Sequence, residues 1–410
     1  MSVLYEGSTR ARTRKVCVVG LGYIGLPTAS LLGTKGYDVV GVDVSRRVVE
    51  TINAGRVHIV EPDLDVLVRS AVHAGQLKAA CEPVEADVFV IAVPTPIDAE
   101  RRPDLSAVEA AARAVARVVR PGNLVILEST SPVGTTEDVV GRILSDAGHA
   151  VGVDVHLAYC PERVLPGRIL IELVENDRIV GGVDERSTEA AVAFYHEFVR
   201  GEVLATDART AEMVKLTENS FRDVNIAFAN ELSMVCAEQG ISVWELIRFA
   251  NRHPRVSILA PGPGVGGHCI AVDPWFLVYG SPERTPLIRT ARAVNESKPD
   301  WVVERVKACA DKVKRPVVAC LGLSFKADVD DLRQSPAVDI VRRLRAELDG
   351  EVLVVEPHLA EHPEFELVSV EAALERANIV LVLVDHRAFK RIKREALNEK
   401  LLVDTRGLFL

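Results

Sequence analysis

Short apolar runs alternate with longer amphipathic stretches at both ends of the chain, and the middle reads as helix only. Lys15-Val16-Cys17-Val18-Val19 is apolar after its first residue, as expected of a parallel strand buried on both faces. The run passes directly into Gly20-Leu21-Gly22-Tyr23-Ile24-Gly25. A helical pattern follows to Lys35, and Gly36 suits its C-terminal cap. Val39-Val40-Gly41-Val42 forms the next strand and ends at Asp43. Residues 87–93, 124–127 and 155–159 continue the series. They end at Pro94-Thr95-Pro96, Glu128-Ser129-Thr130 and Cys160-Pro161-Glu162. Residues 210–239 then hold no glycine or proline, which predicts one helix roughly 45 Å long. A helix near 243–251, another starting at Asp273-Pro274, and a long one from about Thr285 to Lys312, interrupted at Pro299, complete the middle. Strands at 317–321, 352–355, 379–384 and 401–403 follow, with Ser335-Pro336 as a helix start.

This order predicts an α/β chain: two Rossmann-like, doubly wound parallel-sheet domains joined by a long central helix and a helical dimerisation region. The expected boundaries are a loose leader (1–14), a first Rossmann-like domain (15–208), a central helical domain with the cysteine loop (209–300), and a second Rossmann-like domain (301–410). A chain of 410 residues is too long for one core, which agrees with several domains.

Composition removes several classes of function. A net charge of −9 gives no basic face for nucleic acid, although a local basic pocket remains open. No apolar run reaches the length of a membrane span. Residues 1–14 lack the apolar core of a secretory signal, so the expected location is the cytoplasm. Seven scattered cysteines without a Cys-x-x-Cys pair predict neither a disulfide framework nor a metal site. In a reducing compartment a reactive thiol is chemically admissible. Cys17 and Cys320 lie in strand runs and read as packing.

A lone G-x-G-x-x-G carries little weight. Here Gly20, Gly22 and Gly25 lie between a strand and a helix, and Asp43 ends the next strand, which makes a dinucleotide fingerprint. The carboxylate of Asp43 would accept the ribose hydroxyls and repel a 2′-phosphate, so NAD is expected over NADP. Arg46 and Arg47 weaken that exclusion slightly. Polar residues gather where strands end, the ligand-binding edge of open α/β sheets, so Thr95, Thr130 and Glu162 are site candidates. On the long helix Lys215 and Asn219 are four apart and share a face with Arg222. The loop from Pro261 through Gly262, Gly264, Gly266 and Gly267 to Cys269 presents a thiol, with Asp273 four residues on. A positioned thiol can attack an electrophilic carbon. The competing reading is a glycine turn around a buried, inert cysteine. Lys326, Arg333 and Arg406 supply cations for a diphosphate.

These features together resemble the UDP-glucose/GDP-mannose 6-dehydrogenase family, over nearly the whole chain from Val16 to Gly407. The stretches HIVEPDL (58–64), AVPTPID (92–98), LESTSPVGTTE (127–137), YCPERVLPGR (159–168), KLTENSFRDVNIAFANEL (215–232) and HPRVSILAPGPGVGGHCIAVDPWF (253–276) are most similar to the branch acting on UDP-N-acetyl-D-mannosamine. The resemblance implies an NAD-dependent oxidation of a sugar C6 alcohol to a carboxylate. It casts Cys269 as nucleophile, and Lys215 and Asn219 as groups flanking the reacting oxygen. Thr130 and Asp273 would position water, and Glu162 would act as base. It places Gly20, Gly22, Tyr23, Ile24, Gly25, Asp43, Thr95, Thr130 and Arg333 toward the cofactor. Glu162, Arg163, Val164, Lys215, Asn219, Arg222, His253, Arg255, Gly266, Lys326 and Arg406 fall toward a UDP- or TDP-sugar. Arg255 resembles an arginine that reaches the neighbouring subunit's substrate, which implies a homodimer or a multiple of one. Many UDP-glucose dehydrogenases carry a second glutamate four residues after the first; that position is Pro166 here, so the role of that acid has no counterpart. The alternative substrates for the same mechanism are UDP-N-acetylglucosamine, UDP-glucose and TDP-glucose, and the rival activities are a single-step 3-hydroxyacid dehydrogenase and a non-catalytic NAD-binding protein.

Overall fold

The computed structural model describes residues 14–267 and 269–409, so the expected leader falls almost wholly outside the described residues. The chain divides into two compact units, one up to Leu216 and one from Thr217 on.

The first unit is built on an eight-stranded sheet: β1 (Lys15–Val19), β2 (Asp38–Val42), β3 (Leu77–Ala80), β4 (Val88–Ile91), β5 (Leu124–Leu127), β6 (His156–Tyr159), β7 (Arg178–Gly182) and β8 (Val203–Asp207), in the order β3-β2-β1-β4-β5-β6-β7-β8. The strand order reverses between β1 and β4, and that is where such sheets open a crevice. Val16, Cys17 and Val18 of β1, Phe89 and Val90 of β4, and Val125 and Ile126 of β5 have no exposed surface. Both faces of the sheet are therefore covered, which is why these strands read as unbroken apolar runs.

One pairing departs from the expected parallel sheet. β7 runs antiparallel to β6, with Ala158 opposite Gly182 and Tyr159 opposite Gly181. β3, β7 and β8 are absent from the sequence reading. Leu77-Lys78-Ala79-Ala80 has little β-branched content, and β8 is mostly exposed, so neither carries the buried-strand signature.

The helix Ala208–Gln239 begins in the first unit and ends in the second. The second unit holds a four-stranded parallel sheet of β9 (Val317–Leu321), β10 (Glu351–Val355), β11 (Ile379–Val382) and β12 (Leu401–Asp404), in the order β10-β9-β11-β12. Its first helix starts as expected: Ser335 caps Pro336–Glu347 by accepting from Ala337 N. Pro299 does not interrupt the helix around it, which is continuous from Pro286 to Ala310. An internal proline costs about 3 kcal/mol. Apolar burial of Val302, Val303 and Val306 just after Pro299 offsets that loss.

Candidate active site

The turn after β1 shows what each glycine of the fingerprint does. Gly20 adopts φ +95°, and its amide donates to Val42 O at 2.8 Å. A Cβ at Gly25 would stand 1.7 Å from the Gly20 carbonyl oxygen, so helix and turn can close only on glycine. A Cβ at Gly22 would meet nothing within 4 Å. Gly22 is exposed and borders open space, as a backbone that passes a pyrophosphate requires. Tyr23 and Ile24 are half-buried beside it. Asp43 ties this turn to the end of β2: Oδ2 accepts from Leu21 N at 3.2 Å and Oδ1 from Ser45 N at 2.9 Å. A carboxylate has about four lone-pair sites, which leaves acceptor capacity for ribose hydroxyls. These residues fit an NAD molecule.

The neighbouring strand ends are cross-linked. Thr95 donates its hydroxyl to Thr130 O, and Ser129 Oγ bonds both Val93 N and Val93 O. The segment after Thr130 enters a π-helical turn, Thr135–Gly141, whose free amides need partners. Glu212 of the long helix supplies them, accepting from Gly134 N, from Thr136 N at 2.8 Å and from Thr136 Oγ1 at 2.7 Å. One turn on, Lys215 donates to the Glu162 backbone carbonyl at 2.6 Å. Lys215 is thus buried, not the solvated lysine that is the usual fate of that residue.

The Glu162 carboxylate accepts from Val164 N. Burial pushes its carboxyl up to about 7, against the pull of the Lys215 and Arg178 cations. The residues after it are clamped from three sides. Asn176 donates to Arg163 O and Arg163 to Asp177 O, both at 2.9 Å. Glu172 accepts from Leu165 N at 2.8 Å. Buried Glu61 accepts from Gly167 N at 2.9 Å and Ile169 N at 2.8 Å. The sequence reading missed Glu61, Glu212, Glu128 and Arg178. An acid within an apolar helical window such as Glu212 was the one available signal.

In the second unit Cys269 is exposed, whereas Cys17, Cys160 and Cys320 are buried and their thiols are pushed up to about 11, 12 and 12 by burial. The reading of an inert, buried Cys269 therefore fails, while Cys17 and Cys320 are packing groups as expected. The glycines before Cys269 serve both backbone and packing: Gly264 and Gly267 adopt φ +144° and +83°. A Cβ at Gly266 would lie 2.5 Å from Gln334 O, and one at Gly267 2.9 Å from the Phe325 ring. The loop is glycine-rich because it lies flat on the segment 325–336, and Gly267 N donates to Arg333 O at 3.2 Å. Asparagines of the long helix hold its other side: Asn225 accepts from Leu259 N at 2.9 Å, and Asn230 from Gly262 N at 2.8 Å. After the thiol the chain turns into the helix Asp273–Gly280, with Asp273 N donating to Cys269 O at 2.8 Å. Asn219 donates its amide to the Asp273 carboxylate, so these two candidates are joined.

The candidate cations behave differently from one another. Arg333 pairs with Asp331, and Arg406 with Asp385 at 2.7 Å. Arg222, His253 and Arg255 are exposed, and Lys326 is half-buried. The second sheet repeats the first turn: Gly322 has φ +98°, its amide donates to Val355 O at 2.8 Å, and Leu323 N donates to Glu356 at 2.7 Å. Glu356 is nevertheless buried and bonded to buried His386 at 3.1 Å, so this acid is spent within the fold, unlike Asp43. Asp328 and His358 also converge on His386. The His386 Nδ1 accepts from Asp328 N at 2.9 Å while Nε2 faces Glu356, so both ring nitrogens are engaged.

Comparison with known proteins matches three successive models of the UDP-glucose/GDP-mannose dehydrogenase family: the NAD binding domain over residues 14–199, the central domain over 209–297 and the UDP binding domain over 319–409. An NDP-N-acetyl-D-galactosaminuronic acid dehydrogenase of Ralstonia nicotianae is 58% identical over 97% of this chain and 96% of its own length. A UDP-N-acetyl-D-mannosamine dehydrogenase of Yersinia pestis is 52% identical over 96% of this chain and 99% of its own. Among solved structures, a UDP-D-ManNAc dehydrogenase from Pyrococcus horikoshii superposes with a TM-score of 0.90 at 41% identity, covering 97% of this chain and 96% of that one.

Proposed function

The chain belongs to the UDP-glucose/GDP-mannose dehydrogenase family, and from that premise we propose that it oxidises the C6 alcohol of a UDP-linked 2-acetamido sugar to a carboxylate through covalent attachment to Cys269. NAD, held by the Gly20–Gly25 turn and Asp43, supplies the hydride acceptor for each of two oxidations. The observation that carries the reading is the exposed Cys269 thiol, presented by a glycine loop four residues ahead of the helix Asp273–Gly280. The thiolate adds to the C6 aldehyde left by the first oxidation and forms a thiohemiacetal. The second oxidation leaves a thioester on Cys269. Glu162, poised at about 7, takes a proton from the water that releases the acid, and Thr130 and Asp273 orient that water. Lys215 stabilises the oxyanions formed on the way. Asn219 steadies Asp273 through the amide–carboxylate bond already described.

UDP-N-acetyl-D-mannosamine is the substrate we assign, on the similarity of the stretches that carry Glu162, Lys215 and Cys269. The 58% relative, named for N-acetyl-D-galactosaminuronic acid, favours the galacto sugar, which differs from the manno sugar at C2 and C4, as a second reading. A buried polar mismatch costs about 1–3 kcal/mol, so kcat/KM should differ between the two sugars by roughly tenfold to a hundredfold. A panel of UDP- and TDP-sugars followed by NADH absorbance decides the sugar. Two NADH per sugar are expected. One would indicate a single-step dehydrogenase, and none a non-catalytic NAD-binding protein.

Asp43 should read the cofactor. Asp43→Ala is expected to raise the KM for NAD roughly tenfold and relax discrimination against NADP, because two ribose hydrogen bonds and a repulsive charge are lost together. An unchanged NAD/NADP ratio would remove Asp43 from that role.

A second copy of the chain is the expected partner. Phe221, Phe228 and Val235 lie on the long helix at seven-residue intervals, with 67%, 51% and 49% of their surface exposed. An apolar row of that kind calls for a cover. Light scattering should return a dimer or a multiple of it. Active enzyme that is strictly monomeric would end this reading and the assignment of Arg255 to a neighbouring substrate.

A further inference from the structure

Behind Glu162 lies a set of buried ionisable groups. Glu128 follows the last residue of β5 and is 3% exposed, and Arg178 opens β7 and is 2% exposed. Tyr195, on the helix Glu185–His196, donates its hydroxyl to Glu128 Oε1 at 2.6 Å. The Arg178 guanidinium stands 5.6 Å from the Tyr195 ring centre and donates one bond, to Leu173 O at 3.2 Å. Its Nε and Nη1, and the Glu128 Oε2, have no hydrogen-bond partner among the described residues. Buried charged groups are costly unless their donors and acceptors are satisfied, so this arrangement is poor as a device for stability. It is fixed close to Glu162: the bonds Asn176 to Arg163 O and Arg163 to Asp177 O stitch residue 163 to the residues just before Arg178.

We propose that Arg178 and Glu128 are positioning residues that set the proton affinity of the Glu162 carboxyl from behind, in opposite directions. The inference rests on the reading of Glu162 as the base. Charged groups act on Glu162 from four places in the fold. Lys215 comes from the long helix, Arg178 from β7, Glu128 from the end of β5, and Glu172 from the helix Ile169–Glu175. The Cys160 thiol and the Tyr195 hydroxyl are pushed far up by burial and stay neutral near pH 7. Burial pushes the Glu162 carboxyl up toward about 7; the two cations pull it down, and negative charge on Glu128 and Glu172 adds to the upward push. A base tuned to the working pH is where general-base catalysis is most effective.

The test is the pH profile of kcat for acid release, whose acidic limb reports ionisation of the base. In the wild type activity should rise with pH through about 7, because Glu162 accepts a proton only when ionised. Glu128→Gln, which preserves shape and removes a like charge, should move the limb about one unit toward acid. Arg178→Gln should move it about one unit toward alkali, and Arg178→Lys should keep the wild-type position. Infrared difference spectra of the substrate-free protein should show the same displacement in a protonated-carboxyl band that is lost in Glu162→Gln. If Arg178→Gln does not fold, Glu128→Gln still decides. A Glu128→Gln profile that is unmoved, or moved toward alkali, overturns the inference. A Glu162→Gln variant that keeps both activity and the acidic limb overturns instead the reading of Glu162 as base.

Discussion

Cys269→Ser should lower the four-electron turnover by more than about a thousandfold, because a serine hydroxyl is scarcely ionised at neutral pH and an alkoxide leaves an ester far less readily than a thiolate leaves a thioester. The first oxidation should survive, so the variant should accumulate the C6 aldehyde or a serine ester visible as an added mass on the intact chain. Undiminished formation of the sugar acid would take Cys269 out of the mechanism. Alkylation offers an independent check. At neutral pH iodoacetamide should modify exposed Cys269 ahead of Cys17, Cys160 and Cys320, whose buried thiols lie far above their ordinary range.

Arg292→Met should cost about 3–5 kcal/mol of stability in the second unit, because it strands a buried carboxylate. Arg292 and Asp223 are 2% and 0% exposed and join at 2.7 Å. Asn295 also donates to Asp223, at 2.8 Å, and accepts from Asn230 at 2.9 Å. Asn230 in turn holds Gly262 N, so the damage should reach the cysteine loop. Urea unfolding measures the loss, and hydrogen exchange at the Gly262 amide its spread. Burial pushes the Asp223 carboxyl above its ordinary 3.8 despite the pull of Arg292. Without Arg292 it rises further, so the native variant holds its proton to higher pH. The deficit should therefore be greatest at neutral pH and shrink as pH falls toward 4. The double variant Arg292→Met, Asp223→Leu should recover much of the loss; if it does not, the charge pair is not the cause.

The parts of the site legible in the sequence are those whose cause is local. Gly20, Gly22 and Gly25 act within six residues, and the structure assigns each a separate duty: a turn, an open border and a close contact. Lys215 and Asn219 were legible through helical periodicity, but not their partners, the Glu162 carbonyl and the Asp273 carboxylate, which lie 53 and 54 residues away. The cysteine loop was legible through its glycines: Gly264 and Gly267 adopt positive φ, while the neighbours that press on Gly266 and Gly267, Gln334 and Phe325, were not legible. Glu61 and Glu212 left almost no trace, since an acid that accepts backbone amides from a distant loop looks, in one dimension, like a surface acid.

The sequence by itself determined the alternation of strand and helix, the dinucleotide turn with its acid, and the presented thiol, because each depends on side-chain period or on the backbone freedom of a few adjacent residues. Only the tertiary structure decided which ionisable groups lose contact with water and which charges they face. It separates two acids that end equivalent strands: Asp43 keeps acceptor capacity, while Glu356 is closed off by His386. It also buries Glu162, which raises that carboxyl to about 7, and draws Arg178 and Glu128 in behind it. Desolvation and Coulomb energy sum over neighbours in space, whatever their separation along the chain, so a residue's proton affinity exists only once the fold has chosen those neighbours.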